Sequence, residues 1–393
     1  MSESPASTAA APLFLPSRWL ISRRVDLAFL IGSAALSYAL LALWKTGVLS
    51  GLHLMLLWIF AFHGPHFFAT MSRTFLDREE WRERGDVLRR SLLWFLLGPA
   101  CLLVALALQP WFGGDPRSND LVMAFFAFAA WWAYHHVVKQ HFGFMALYRA
   151  RQREFDRKEL FWHRRYIVAS LWLPMVATIL ESPYWLAQVP ALASRVAPRI
   201  GPERLFGWTQ QAAVVALWAF WIVQALYVGS LVKRRLAGRS LNLQENLIVL
   251  ASVPLHYVVA RSVSGLSGFD AYAVVPLVTT FHNLQYHALV WSYSRSKYLA
   301  PGAPHPNAAP ALLARWLPLY VLAGVAYTCA TIGVEYFGLY DLAALGRERW
   351  LGQIVASAIW GWSFLHYYLD GKLWHVQSDA NLRRVLGFET ARA

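Results

Sequence analysis

Charged residues and cysteine are both scarce in this chain. Only 15% of its 393 residues are charged, whereas 57% are hydrophobic, so its composition argues against an ordinary soluble domain. Cys101 and Cys329 are the two cysteines, and each lies inside an apolar stretch, which argues against a disulfide framework or a cysteine-based metal site. Residues 1–16 lack the basic segment and continuous apolar run of a cleavable signal peptide. The lipid bilayer is therefore the expected solvent of the chain.

Ten stretches of the chain are long and apolar. A hydrocarbon core about 30 Å thick needs roughly 20 apolar residues in helical conformation, and most of these stretches approach that length. We therefore expect an all-α fold, a polytopic membrane bundle of about ten spans. The stretch 246–260 is short and contains Pro254, so a re-entrant segment is the alternative there. The stretches, which contain no Asp, Glu, Lys or Arg, are 27–44, 51–71, 91–109, 121–138, 166–180, 209–232, 246–260, 271–294, 316–334 and 350–369.

The distribution of basic residues predicts the orientation of these spans. The chain carries a formal net charge of +14, and its Lys and Arg residues concentrate in alternate connections, as the positive-inside rule predicts for cytoplasmic loops. We expect a cytoplasmic segment over 1–25, a transmembrane helical domain over 26–372 and a cytoplasmic tail over 373–393. This pattern fits an integral protein of the bacterial inner (plasma) membrane. Because the arginines cluster at span ends and form no single face, nucleic acid is not an expected partner.

Eight histidines fall late in the second, fourth, eighth and tenth predicted spans. All four spans run toward the cytoplasm, so these imidazoles are predicted to lie at a similar depth near the cytoplasmic face. Ionisable groups inside a membrane are costly and usually mark a functional site, and imidazole is the commonest metal-binding side chain. His53 and His256 are predicted near the opposite face and are set aside. The predicted metal ligands are His63, His66, His135, His136, His141, His282, His287 and His366.

Two of these segments share a spacing. His136 precedes His141 by five positions, and His282 precedes His287 by the same number. Five residues of a regular helix advance about 140° net around its axis, so the members of each pair do not share a face. Binding of one ion by both members of a pair requires a bend, a π-bulge or unwinding at the helix end.

The other histidine pairs have different geometry. His63 and His66 are compatible with one helix face, and Pro65 between them predicts a local kink. His135 and His136 point about 100° apart, so at most one of them faces a given metal. The matched spacing to His141 favours His136.

Further polar residues lie beside the predicted ligands. His366 and Asp370 are four residues apart, a spacing that suits a metal ligand and its carboxylate partner on one side of a helix. Asp370 is alternatively a ligand itself, or part of a turn with Gly371 and Lys372. A tyrosine at this depth either donates a hydrogen bond to a ligand or anchors the chain at the interface. The residues predicted to support the ligands are Asp370, Gln140, Gln285 and Tyr286.

The histidine segments resemble those of histidine-rich membrane oxygenases, namely fatty-acid desaturases and hydroxylases and the bacterial membrane carotenoid-cleaving dioxygenases. Those families carry histidine boxes at one membrane face, bind non-haem iron and act with dioxygen on lipophilic substrates. The segments HHVVKQH and HNLQYH depart from the desaturase patterns HxxxH and HxxHH. The resemblance implies a non-haem iron oxygenase or desaturase with one or two iron ions and a lipophilic substrate. Membrane lipids are further expected partners.

The electron source and the reaction stay open. The sequence contains neither a Rossmann glycine-rich loop nor a fused ferredoxin domain, so electrons are expected from a separate donor. The sequence does not decide between desaturation, hydroxylation and oxidative cleavage, and no catalytic residue other than the ligands is assigned.

Three other classes of function are compatible with the histidines. A haem-binding electron-transfer protein needs two axial histidines, fewer than this chain offers. A proton-coupled transporter uses histidines to relay protons and often contains inverted repeats. In this sequence the only repeat is the five-position spacing that His136 and His141 share with His282 and His287. A scaffold protein with no catalytic or transport function would not explain why eight histidines are predicted at a similar depth in the membrane.

Overall fold

The computed structural model is all-helical over the residues that it describes, which confirms the predicted fold class. Within that part of the chain, a single bridge between Phe14 and Leu241 is the only paired extended backbone. The predicted connection at 110–120 and the ends of both terminal segments lie largely outside the described residues. The described residues are 11–108, 120–187, 189, 199–302, 308–344, 349–376 and 379–388.

Most of the apolar stretches lie on long α-helices. Short π-helical segments, Asp26–Ile31 and Ile59–His63, and a 3-10 segment, Leu92–Leu96, join some of the helices. The α-helices with defined bounds are α1 Arg23–Val25, α2 Ala34–Lys45, α3 Gly51–Trp58, α4 Gly64–Arg73, α5 Arg78–Ser91, α6 Leu97–Leu108, α7 Asp120–Arg151, α8 Arg157–Leu180, α9 Pro202–Leu236, α10 Leu243–Val263, α11 Gly268–Ala271, α12 Val274–Tyr298, α13 Ala309–Arg315, α14 Leu317–Ala344, α15 Arg349–Ile359, α16 Gly361–Leu373 and α17 Ala380–Val385.

Five helical segments of the described chain are long and apolar enough to cross a membrane. A sixth span results if α13 and the segment Leu317–Thr331 of α14, which meet at 119°, act together. The short stretch 246–260 lies within α10, which is one continuous helix despite Pro254. The total of ten spans and the orientation of the termini stay predictions. The five segments are Arg23–Lys45, Gly51–Arg73, Arg78–Val104, Pro202–Leu236 and Leu243–Val263.

The helices form two compact units. Unit 1 comprises Met1–Leu52 and Val138–Val278, and unit 2 comprises His53–Val137 and Thr279–Ala393. In unit 1, α8 packs against α9 and α10. In unit 2, α4 packs against α14 and α16. The boundaries fall inside α3, α7 and α12, so these helices contribute residues to both units.

Helix α4 begins in close contact with α14. Pro65 occupies the first turn of α4, where a missing backbone N–H costs nothing because it would have no partner within the helix. A Cβ atom on Gly64 would lie 2.0 Å from Oγ1 of Thr328, so only glycine permits this approach. The π-helical segment Ile59–His63 ends just before this turn, and the kink predicted at Pro65 stays a prediction. Together these features fix the start of the helix that carries His66.

Candidate metal centre

Four of the eight predicted ligands meet inside unit 2. Each offers one ring nitrogen, and these four nitrogens all lie within 4.8 Å of one another. Two imidazole nitrogens bound on opposite sides of one ion lie about 4.2 Å apart, so the group has the size of a metal site. We call it the four-histidine group. Its members are His66 on α4, His136 on α7, His282 on α12 and His366 on α16.

Burial and close contact make this group unusual. His66, His282 and His366 are each at most 3% exposed, and His136 is half-buried. Nε2 of His66 lies 2.8 Å from Nε2 of His366, so without a cation one ring must donate a proton to the other. Nδ1 of His66 is also buried without a hydrogen-bond partner. A cation between the converging nitrogens could take the place of the proton that His66 and His366 share, so the arrangement fits a bound metal.

A chain of hydrogen bonds fixes the tautomer of His366. The hydroxyl of Tyr286 donates to Oδ1 of Asp370 at 2.9 Å, because an ionised carboxylate can only accept. The hydroxyl of Thr70 therefore donates to the oxygen of Tyr286, 2.8 Å away. Nδ1–H of His366 then donates to Thr70 Oγ1 at 2.7 Å. The proton of His366 is thus on Nδ1, and the lone pair of Nε2 is available to the four-histidine group.

Asp370 lies at the edge of the group. Its Oδ2 atom is 3.4 Å from Nε2 of His366 and 3.5 Å from Nε2 of His136. Its Oδ1 atom accepts a second hydrogen bond from Nε1 of Trp374 at 3.1 Å. Asp370 belongs to the continuous helix α16, so the alternative in which it forms a turn with Gly371 is wrong. One carboxylate oxygen is held in place, and the other faces two imidazoles.

Aromatic rings hold the imidazoles in position. Tyr367 stacks on His136 with ring centroids 4.3 Å apart, and Tyr286 lies 4.4 Å from His66. Tyr286 and Asp370 lie beside these imidazoles, and their predicted support of metal ligands stays a prediction. Gln285 is fully buried and Gln140 is half-buried, and their predicted support of the ligands stays a prediction.

Three further predicted ligands lie in unit 2 but outside the four-histidine group. His63 stacks on Trp58 with ring centroids 4.1 Å apart. Nδ1 of His287 is hydrogen-bonded to the hydroxyl of Tyr320 at 2.9 Å. His135 is half-buried. The structure does not bring these three side chains into the same set of converging nitrogens.

The last predicted ligand, His141, lies in unit 1 beside His256. Both side chains are fully buried, and their rings meet edge to face with centroids 5.4 Å apart. Helix α7 is regular through His136 and His141, so the five-residue spacing turns these two histidines in different directions. The contact between His141 and His256 contradicts the prediction that these two residues lie near opposite membrane faces.

Two supporting residues, Thr70 and Trp374, are not among those that the sequence predicted. Thr70 follows His66 by four residues on α4, and Trp374 follows Asp370 by four residues. Residues at this spacing share a helix face. The four-residue spacing from a predicted ligand, His66, and from a predicted supporting residue, Asp370, is the signal that points to these two side chains.

The chain matches no protein-family model, no curated protein and no solved structure. The resemblance to histidine-rich membrane oxygenases therefore rests on the histidine segments and stays a prediction.

Proposed function

We propose that this chain is a membrane-embedded, metal-dependent oxidoreductase that activates dioxygen on a lipophilic substrate at the four-histidine group. The convergence of four imidazoles with the carboxylate of Asp370 carries the proposal. Imidazole ligands suit zinc, copper, iron and nickel, and mixed histidine and carboxylate sets serve the non-haem ferrous oxygenases. We therefore propose non-haem iron, one or two ions, as the cofactor.

The side chains have distinct roles in this proposal. Bound iron would supply the activation of dioxygen and the transfer of electrons. The four histidines would hold the cation through ring lone pairs, and Thr70 keeps the proton of His366 on Nδ1. Tyr286 and Trp374 orient Asp370, which either completes the ligand set or accepts a proton at Oδ2. Burial of three of the four imidazoles excludes bulk water from the reacting groups.

The proposal includes a membrane context. We propose ten spans in the bacterial inner membrane, both termini in the cytoplasm and the four-histidine group near the cytoplasmic side. The apolar helices support a lipophilic substrate that enters from the bilayer. A separate protein on the cytoplasmic side would then supply electrons.

Metal content and dioxygen uptake test this function. The protein, purified in detergent, is reconstituted with ferrous ion without oxygen, and bound iron is measured by elemental analysis. Dioxygen consumption is then followed with a chemical reductant and a membrane-lipid extract. We expect one or two equivalents of iron and lipid-dependent uptake, both lost in His282→Ala and both retained in His53→Ala.

Other outcomes would contradict the proposal. A haem Soret band in the purified protein would favour an electron-transfer function. A well-folded protein that binds no iron and supports pH-driven solute uptake in vesicles would favour a transporter.

A further inference from the structure

Unit 1 contains a cavity of about 610 Å³ between α8, α9 and α10. Small-molecule sites usually have volumes of about 300 to 1,000 Å³. All of the lining residues belong to unit 1, and none belongs to the four-histidine group. The proposed metal centre therefore leaves this cavity without a function.

The lining changes from apolar to charged along the helices. Ala169 of α8 and Val223 and Leu226 of α9 line the part that lies away from the helix ends. The N-terminal end of α8, the C-terminal end of α9 and the N-terminal end of α10 line the other part. The charged residues there are Glu159, Arg165, Lys233, Arg234, Arg239 and Glu245. A cavity with one apolar and one charged end suits an amphiphile.

The carboxylates at the charged end are already paired. Glu159 accepts hydrogen bonds from Arg149 and Arg239, both at 2.6 Å. Glu245 pairs with Arg149 at 3.2 Å and contacts His163. The acidic groups of the lining are therefore neutralised within the protein and do not select a cationic ligand.

Two cations of the lining are not paired in this way. Among the described residues, Lys233 and Arg165 form no ion pair with a carboxylate. The guanidinium of Arg165 lies over the ring of Phe161 at 3.9 Å. Both side chains are exposed and line the cavity, so its charged end has an excess of positive charge that can accept an anion.

The surroundings of the cavity indicate where that anion comes from. Helix α9 is one of the segments long and apolar enough to span a membrane. It presents large apolar side chains to its surroundings, with Leu226 68% and Trp218 67% exposed. Basic pockets between membrane helices are typical sites for anionic lipid headgroups. Leu226 belongs both to this exposed face and to the cavity lining, so the cavity is accessible from the lipid side.

We propose that the cavity binds a bilayer phospholipid with an anionic headgroup. The phosphate would pair with Lys233 and Arg165, and an acyl chain would lie along Ala169, Val223 and Leu226. Stacked Tyr166 and Tyr227, with ring centroids 3.9 Å apart, form a rigid wall between the two parts. This site is independent of the metal centre.

Lipid binding to the full-length protein tests the proposal. Native mass spectrometry of the protein in a nonionic detergent measures binding of phosphatidylglycerol, phosphatidylcholine and oleate. We expect one phosphatidylglycerol to bind in preference to phosphatidylcholine. The double variant Arg165→Ala/Lys233→Ala should weaken this binding roughly 30-fold, as expected for the loss of two interfacial cations. The matched control Arg164→Ala/Lys158→Ala removes two exposed cations that do not line the cavity, and should change binding by less than about twofold.

Three results would overturn the proposal. Equal binding of both phospholipids to the wild-type protein would exclude headgroup selection, whether or not the variants fold. Equal weakening in the control variant would show general surface electrostatics and not a site. Binding of oleate in place of phosphatidylglycerol would identify a free fatty acid as the anionic amphiphile.

Discussion

Among the residues that the structure describes, buried histidines occur in two places, and the number of ring nitrogens that converge there differs. The four-histidine group of unit 2 has four ring nitrogens within 4.8 Å of one another, with a carboxylate oxygen beside two of them. In unit 1, His141 and His256 meet edge to face at 5.4 Å. Among the described residues, that pair belongs to no set of three or more ligand side chains. Both sets are largely buried, so burial does not distinguish them.

The difference lies in how many ligand atoms converge. In unit 2, Thr70 fixes the proton of His366, and Tyr286 and Trp374 hold Asp370. Metal sites depend on such supporting hydrogen bonds for the orientation of their ligands. Two imidazoles alone leave most coordination positions of a metal to other ligands. We therefore expect the two regions to respond very differently to substitution.

The largest expected effect comes from removing ligands. His66→Ala and His366→Ala should each lower the affinity for ferrous ion at least about 100-fold, more than the loss of a supporting residue costs. His141→Ala and His256→Ala should leave the affinity unchanged. Metal titration of the four folded variants measures this contrast, and equal losses in both pairs would remove the distinction between the regions.

Asp370→Asn should have the next largest effect. It keeps the shape of the side chain but removes the charge that faces His136 and His366. We expect a loss of metal affinity of about 10-fold to 100-fold. Asp86→Asn is the matched control, because Asp86 pairs with exposed Arg89 at the surface. If Asp370→Asn bound ferrous ion as tightly as this control, Asp370 would have no part in the site.

Loss of one supporting hydroxyl should have a smaller effect. Thr70→Val leaves the Nδ1–H of His366 buried without its acceptor, at a cost of about 1 to 3 kcal/mol. Both thermal stability and metal affinity should fall, whereas Thr70→Ser should restore them because it keeps the hydroxyl. If Thr70→Ser behaved like Thr70→Val, packing of the methyl group and not the hydrogen bond would explain the effect.

The smallest effect concerns Glu159 in unit 1, a carboxylate that pairs with several arginines. Partial burial raises the pKa of Glu159, but hydrogen bonds from Arg239 and Arg149 outweigh it and lower the pKa from 4.5 to about 2. The pairing therefore stabilises the fold fully above about pH 4.5, and this contribution is lost as the pH falls toward 2.

A pH series measures that contribution. The melting temperature of Glu159→Gln should lie slightly below that of the wild type at neutral pH, because the pairs are partly exposed. The difference should shrink as the pH falls below about 4.5. A difference that stays constant with pH would mean that the substitution acts through packing and not through the charge of Glu159.

Part of this architecture follows from the sequence. Apolar stretches located the long helices, and the all-α class followed from them. The spacing of His136 and His141 predicted that one regular helix cannot direct both at one ion, and α7 is regular there. These features depend on local helix geometry, which the sequence pattern records directly.

The choice among the eight histidines did not follow from the sequence, because it depends on how each helix is rotated against its neighbours. The contact of Gly64 with Thr328 and the π-helical segment Ile59–His63 set the start of α4. His66 then reaches the group while His63 stacks on Trp58. Contacts between residues far apart in sequence leave no periodic signal, so neither this choice nor the pairing of His141 with His256 was predictable.

X-ray absorption spectroscopy at the iron edge of the ferrous-reconstituted protein tests the central claim most directly, because scattering from imidazole rings identifies and counts histidine ligands. We predict a nitrogen-rich first shell with the outer-shell scattering of three or four imidazoles, lost in His66→Ala and kept in His141→Ala. A first shell of oxygen ligands without imidazole scattering in the wild-type protein would contradict the claim that the four-histidine group is a metal centre.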